Sequence, residues 1–112
     1  MAAVNFTGNP LSCCKGEMNE LVPNSVDASK EKHKPKIKQK GNVVTVTVGE
    51  ADMAHPMLEE HSIYWVCLVT DRGSQRKILN PKDKAEATFY LDAEEKVINA
   101  FAYCNLHGLW VS

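Results

Sequence analysis

The stretch Val44-Thr45-Val46-Thr47-Val48 decides the fold class. Strict alternation places the three valines on one side of an extended chain and the two threonines on the other, as in a strand with one face turned to a core. Working outward, the same period of two runs through most of the chain from Lys36 onward. In the next apolar run, His61, Ile63, Trp65, Cys67 and Val69 fall on one face, with Tyr64, Val66 and Leu68 on the other. Both faces are apolar, which predicts a central strand covered on both sides. Asp71-Arg72-Gly73 reads as a turn, followed by a strand over Gln75–Leu79 and a break at Asn80-Pro81-Lys82-Asp83. Ala85, Ala87, Phe89 and Leu91 alternate with polar neighbours. Lys96 to Cys104 is a further strand, and Leu109-Trp110-Val111 a short last one. No segment after residue 36 carries a capped stripe of period 3.6. Six or seven short strands in about 75 residues therefore predict an all-β sandwich or small barrel.

Composition bounds the rest. A chain of 112 residues fits one domain. Thirteen Lys and Arg against 14 Asp and Glu give a net charge of -1, which argues against a nucleic-acid partner. The longest apolar run, Ile63 to Val69, falls well short of the roughly 20 residues that a membrane helix needs. Residues 1–28 contain Gly8, Pro10, Gly16 and Pro23 and keep no sustained period, so they read as a short irregular N-terminal extension. Residues 29–112 then form the β domain. The first dozen residues lack the basic and apolar regions of a secretory leader, and a cytoplasmic location is expected. In that reducing setting, cysteines serve more often as metal ligands or small hydrophobes than as disulfides. Lysines stand at every second position from Lys30 to Lys40. In an extended chain they share one side, opposite Glu31, His33, Pro35 and Ile37. On an exposed edge strand, Lys34, Lys36, Lys38 and Lys40 also discourage edge-to-edge pairing.

All four histidines lie in three short stretches at strand ends: Glu31-Lys32-His33-Lys34-Pro35, His55-Pro56-Met57-Leu58-Glu59-Glu60-His61, and Cys104-Asn105-Leu106-His107-Gly108-Leu109-Trp110. Any one of these histidines alone reads as a surface or hydrogen-bonded residue, and Cys104 alone as packing beside Ala100 and Ala102. Taken together, with a thiol and an imidazole offered by one Cys104-x-x-His107 turn, they read as a metal site. Five nitrogen and sulfur donors exceed the four of a closed structural zinc site. Mixed imidazole and thiolate ligation suits iron, copper or zinc, whereas calcium and magnesium prefer oxygen. A copper electron-transfer β-sandwich is the main alternative, but its weak axial Met has no counterpart after His107.

On these three stretches the sequence resembles the superoxide reductases, the family of neelaredoxin and the catalytic domain of desulfoferrodoxin. Its marks are a Glu-Lys-His loop followed by Pro, a His-Pro-Met segment with a second His, and a terminal Cys-Asn-x-His-Gly-x-Trp turn. The resemblance implies a seven-stranded immunoglobulin-like β-sandwich holding one non-haem iron per chain. It implies His33, His55, His61 and His107 as equatorial ligands and Cys104 as the axial thiolate. Glu31 is implied as the carboxylate that closes on the sixth position of the ferric ion, and Lys32 as the cation that attracts superoxide. The implied reaction is one-electron reduction of superoxide to hydrogen peroxide, with a rubredoxin-like protein as electron donor. Leu11 to Met18 is similar to half of a desulforedoxin domain. A four-cysteine centre cannot form from Cys13 and Cys14 alone, so this part reads as a remnant without a cluster. Cys67, mid-strand and away from every motif, reads as a core residue. The extension and the apolar tail from Leu109 to Val111 lead us to expect a homo-oligomer.

Overall fold

The computed structural model describes residues 12, 13, 16, 17, 20–24, 33–50 and 53–112. Within the extension, β1 (Ser12–Cys13) and β2 (Gly16–Glu17) form a two-stranded antiparallel ladder. The remaining strands are β3 (Pro35–Lys40), β4 (Val43–Glu50), β5 (Met53–Ala54), β6 (Ile63–Thr70), β7 (Gly73–Ile78), β8 (Glu86–Tyr90), β9 (Val97–Cys104) and β10 (Gly108–Val111). Apart from the two-residue β5, seven strands build two antiparallel sheets. This is the all-β sandwich that the alternating pattern predicts.

Sheet I centres on β4. The two-residue turn Gly41-Asn42 folds β3 back onto it, and Gly41 sits at φ 60°, a left-handed value that glycine adopts without steric cost. On the other edge of β4, β8 pairs with Val43 to Thr47 and β5 takes over at Gly49 and Glu50. Sheet II runs β10–β9–β6–β7. The inner faces of the two sheets meet in one apolar cluster: Val44, Val46 and Val48 from β4, Val66 and Leu68 from β6, Ala87 and Phe89 from β8, and Ala100 and Ala102 from β9. Phe89 is fully buried. Burying a side chain of that size contributes about 1.5–3 kcal/mol.

The facing of β6 and the place of Cys67 differ from the sequence reading. The expected face of β6 joined Ile63 to Trp65, Cys67 and Val69. Ile63 is instead fully buried on the core side with Val66 and Leu68, while Trp65, Cys67 and Val69 are half-buried. The cause is a register shift against β9 between Ile63 and Trp65. Such an irregularity inverts the facing of every residue beyond it. Cys67 accordingly lies on the outer face of sheet II rather than in the core. The edge strand β7 is exposed along its whole length. It nevertheless closes one side of the sandwich, because Lys77 Nζ lies 5.5 Å over the Phe89 ring and Gln75 Nε2 donates to the Tyr90 carbonyl at 3.1 Å. Lys36, Lys38 and Lys40 are exposed along β3 with Ile37 half-buried between them, as the alternation implies.

Candidate metal centre

Strand register gathers the expected donors at one end of the sandwich. Pro35 pairs with Val48, and Gly49 with Ala54, across sheet I. Cys104 pairs with both Ile63 and Gly108 across sheet II. His33 lies two residues before Pro35 and His55 one after Ala54. His61 lies two before Ile63, and His107 one before Gly108. Chemistry whose members lie up to 74 positions apart in sequence is thereby concentrated where the strands stop. Local bonds fix the loops: His55 N–H donates to the Val48 carbonyl at 3.0 Å, and Leu58 and His61 exchange backbone bonds of 2.9 and 3.2 Å. Gly108 makes the sharp exit from the β9–β10 turn at φ 80°, a conformation that most side chains resist.

The four imidazoles close into a ring. Centroid separations are 4.7 Å for His33–His55, 4.8 Å for His55–His61, 5.2 Å for His61–His107 and 4.7 Å for His33–His107. Each neighbouring pair is steeply inclined, at 69°, 81°, 79° and 87°, so the rings stand edge to face around a common centre. His33 Nε2 and His107 Nδ1 approach to 2.9 Å, and Cys104 Sγ lies 3.9 Å from the same Nδ1. One donor atom from each of His33, His61, Cys104 and His107 falls within 4.8 Å of all the others. His55 is outside that set of four and joins it through its ring contacts with His33 and His61. Cys104 is fully buried, and His33 and His55 are each 3% exposed.

The nitrogens are oriented for a cation. His55 Nδ1 lies 2.8 Å from the Pro56 carbonyl, a bond in which the ring must be the donor, so the proton is on Nδ1 and the lone pair on Nε2. His55 Nε2 and His61 Nε2 are both buried without a hydrogen-bond partner among the described residues. Unpaired buried polar atoms are costly and call for an explanation. A metal ion in the centre provides it, and the donor set of imidazoles and a thiol fits a transition metal. Burial holds the His55 pKa down at about 4, against the pull of the Pro56 carbonyl and with help from the three neighbouring imidazoles. His61 is also lowered, by burial first and then by His107, with Glu60 opposing. Both rings are therefore biased towards the neutral form, the form that binding a cation requires.

The Desulfoferrodoxin family model matches residues 25–112 of the chain. The chain belongs to the desulfoferrodoxin family. It is 45% identical over 102 residues to the desulfoferrodoxin of Syntrophotalea carbinolica, covering 91% of this chain and 78% of that one. Against the desulfoferrodoxin of Nitratidesulfovibrio vulgaris it is 45% identical over 103 residues, covering 92% and 79%. Among solved structures, the superoxide reductase from Treponema pallidum superposes with a TM-score of 0.89 at 40% identity, covering 99% of this chain and 90% of that one.

In this desulfoferrodoxin-family site, Trp110 has a part that the sequence reading did not assign. The indole is fully buried and stacks on His33, with centroids 4.8 Å apart and planes inclined by 23°, so it sets the orientation of that ring. Its place in the terminal motif is the only signal in the sequence. Glu31, Lys32 and Cys14 lie outside the described residues, as does the Cys13 side chain. Cys67 is a free thiol, with its pKa raised by burial.

Proposed function

We propose that the chain is a superoxide reductase with one iron per chain, held by His33, His55, His61 and His107 and by the thiolate of Cys104. The observation that carries this reading is the closed ring of four imidazoles with two orphaned Nε2 atoms, beside a buried thiol from the same turn as His107. Membership of the desulfoferrodoxin family sets aside the copper alternative. Bound iron would supply the redox chemistry, the one electron that, with two protons, converts superoxide to hydrogen peroxide.

The chain's own residues prepare the site for that chemistry. His55 fixes its tautomer through the Pro56 carbonyl, and the low proton affinity of His55 and His61 keeps protons from competing with the metal near neutrality. Trp110 covers one face of His33 and excludes water there. Cys104 supplies a soft, electron-rich donor, the kind of ligand that promotes electron release at thiolate iron centres. Lys32, next to His33 in the chain, attracts the superoxide anion. A local cation of this kind raises association rates by roughly tenfold or more in a salt-dependent way. Glu31, two residues before His33 in the chain, would supply a carboxylate to the oxidised metal.

Each turnover would consume one electron, and we propose a rubredoxin-like protein as its donor. The thiol that this site requires fits a reducing cytoplasm. Half-buried Trp65, Phe101 and Tyr103 on the outer face of sheet II support a homo-oligomer, which sedimentation of the loaded protein tests. The deciding experiment for the function is stoichiometry on the iron-loaded protein. One peroxide per superoxide identifies a reductase, and one per two identifies dismutation and overturns the reading.

A further inference from the structure

Asn105 follows Cys104 in the terminal turn, and it ties that turn to the other side of the metal centre. Its Nδ2 donates to the Glu60 carbonyl at 3.0 Å, and its Oδ1 accepts from the Ser62 N–H at 3.0 Å. Its own backbone N–H donates to the Ser62 carbonyl at 3.2 Å. The contacts from its side chain span 45 and 43 positions of sequence. They bracket His61 from both sides, at Glu60 and at Ser62. On the Asn105 side, Cys104 is the preceding residue and His107 lies two further on. One primary amide thus joins the loop that presents His61 to the turn that presents the other two donors.

The strand ladder does not do this by itself. Pairing of β6 with β9 ends at Ile63 and Cys104, and it is irregular there because the register shifts between Ile63 and Trp65. The reciprocal bonds between Leu58 and His61 fix His61 within its own loop and leave the distance to Cys104 unset. Only an amide side chain matches the partners, one backbone carbonyl and one backbone N–H two residues apart, since it offers a donor and an acceptor side by side. A carboxylate keeps the acceptor and loses the donor, and an apolar side chain loses both.

We propose that Asn105 is a positioning residue of the metal centre, a clamp that sets the spacing between His61 and the Cys104–His107 turn. It touches neither metal nor substrate and acts through His61. Partners of this type outside the ligand set typically alter metal affinity by about 10- to 100-fold when removed.

The test compares Fe2+ dissociation constants, from chelator competition on the full chain, for wild type, Asn105→Ala, His61→Ala and the double variant. Expected is an affinity loss of about 10- to 100-fold for Asn105→Ala. Because the clamp works through His61, adding Asn105→Ala to His61→Ala should then change affinity less than about threefold. In the Co2+-loaded protein, the charge-transfer band from Cys104 should persist in Asn105→Ala while the ligand-field bands shift towards those of His61→Ala. Wild-type affinity in Asn105→Ala, or the same fold-loss in both backgrounds, overturns the proposal. Should Asn105→Ala fail to fold, Asn105→Asp, which retains the bond from Ser62 N–H, carries the same comparison. The inference rests on the metal centre and not on its substrate. Affinity is read without superoxide, so a chain that binds iron but gives the wrong peroxide yield overturns the proposed function and not the clamp.

Discussion

Removing the metal should make the stability of the fold steeply dependent on pH between 7 and 5. The cause is His55, which is 3% exposed and has its pKa lowered from 6.5 to about 4, chiefly by burial. A depressed histidine pKa means that the unfolded chain binds a proton that the folded chain refuses. Stability is therefore complete above pH 6.5 and falls as the pH drops towards 4. A full shift of this size corresponds to about 3 kcal/mol, with about 1 kcal/mol already lost at pH 5.5. His61 is shifted in the same direction and adds to the slope. The loss is a sizeable part of the 5–15 kcal/mol typical of whole domains. Urea unfolding of chelator-stripped protein at pH 7.5, 6.5 and 5.5 measures it, staying above the range where carboxylates titrate. The control is His55→Gln, which is neutral at every pH in the series and should flatten the slope. Equal slopes for wild type and His55→Gln, or no slope in either, would refute the reasoning. Iron-loaded protein should hold its stability further down in pH, because protons must then displace the metal.

Three further outcomes are expected. Cys104→Ser should abolish the thiolate charge-transfer band of the ferric protein and most of its turnover; a retained band in the visible spectrum would remove Cys104 from the ligand set. Lys32→Ala should leave iron content intact while slowing superoxide consumption roughly tenfold and weakening its salt dependence, as followed by pulse radiolysis across ionic strengths. Trp110→Ala opens a cavity beside His33 and should cost about 3–5 kcal/mol in urea unfolding. Trp110→Phe, which keeps an aromatic face against the imidazole, should recover part of that loss.

The sandwich was legible because period-two alternation is a local property, and local properties survive in sequence. Val44, Val46 and Val48 face the core as their spacing says, and so do Ala87 and Phe89. Facing along β6 was misread because a single irregularity between Ile63 and Trp65 changes the phase, and a bulge leaves no compositional mark in so apolar a run. The clustering of the four histidines with Cys104 was legible for a different reason. Metal ligation needs particular atoms, and a chain with four histidines, all in three short stretches, has few other uses for them. Their supports were harder to see. Trp110 stacks on a ring 77 positions away, and Asn105 bonds across more than 40, so their parts emerge only once β9 is known to lie between β6 and β10.

That contrast has a physical root. A ligand is defined by its own atoms, whereas a positioning residue is defined by what it reaches, and reach is a property of topology. In this chain the two sheets supply rigidity up to Val48, Ile63 and Cys104, and regular pairing weakens just where the donors begin. From there on, geometry depends on single contacts: the Pro56 carbonyl on His55, the indole on His33, the Leu58 turn at His61 and the Asn105 amide across the gap. Four supports of different chemistry hold rings only 4.7–5.2 Å apart. Without a metal, burial and the neighbouring imidazoles hold His55 and His61 below the ordinary histidine range, so the same supports that preorganise the site also make the empty fold acid-labile. Binding an ion relieves that conflict, which is why affinity for the metal and the acid resistance of the metal-loaded protein should rise and fall together across variants of these supporting residues.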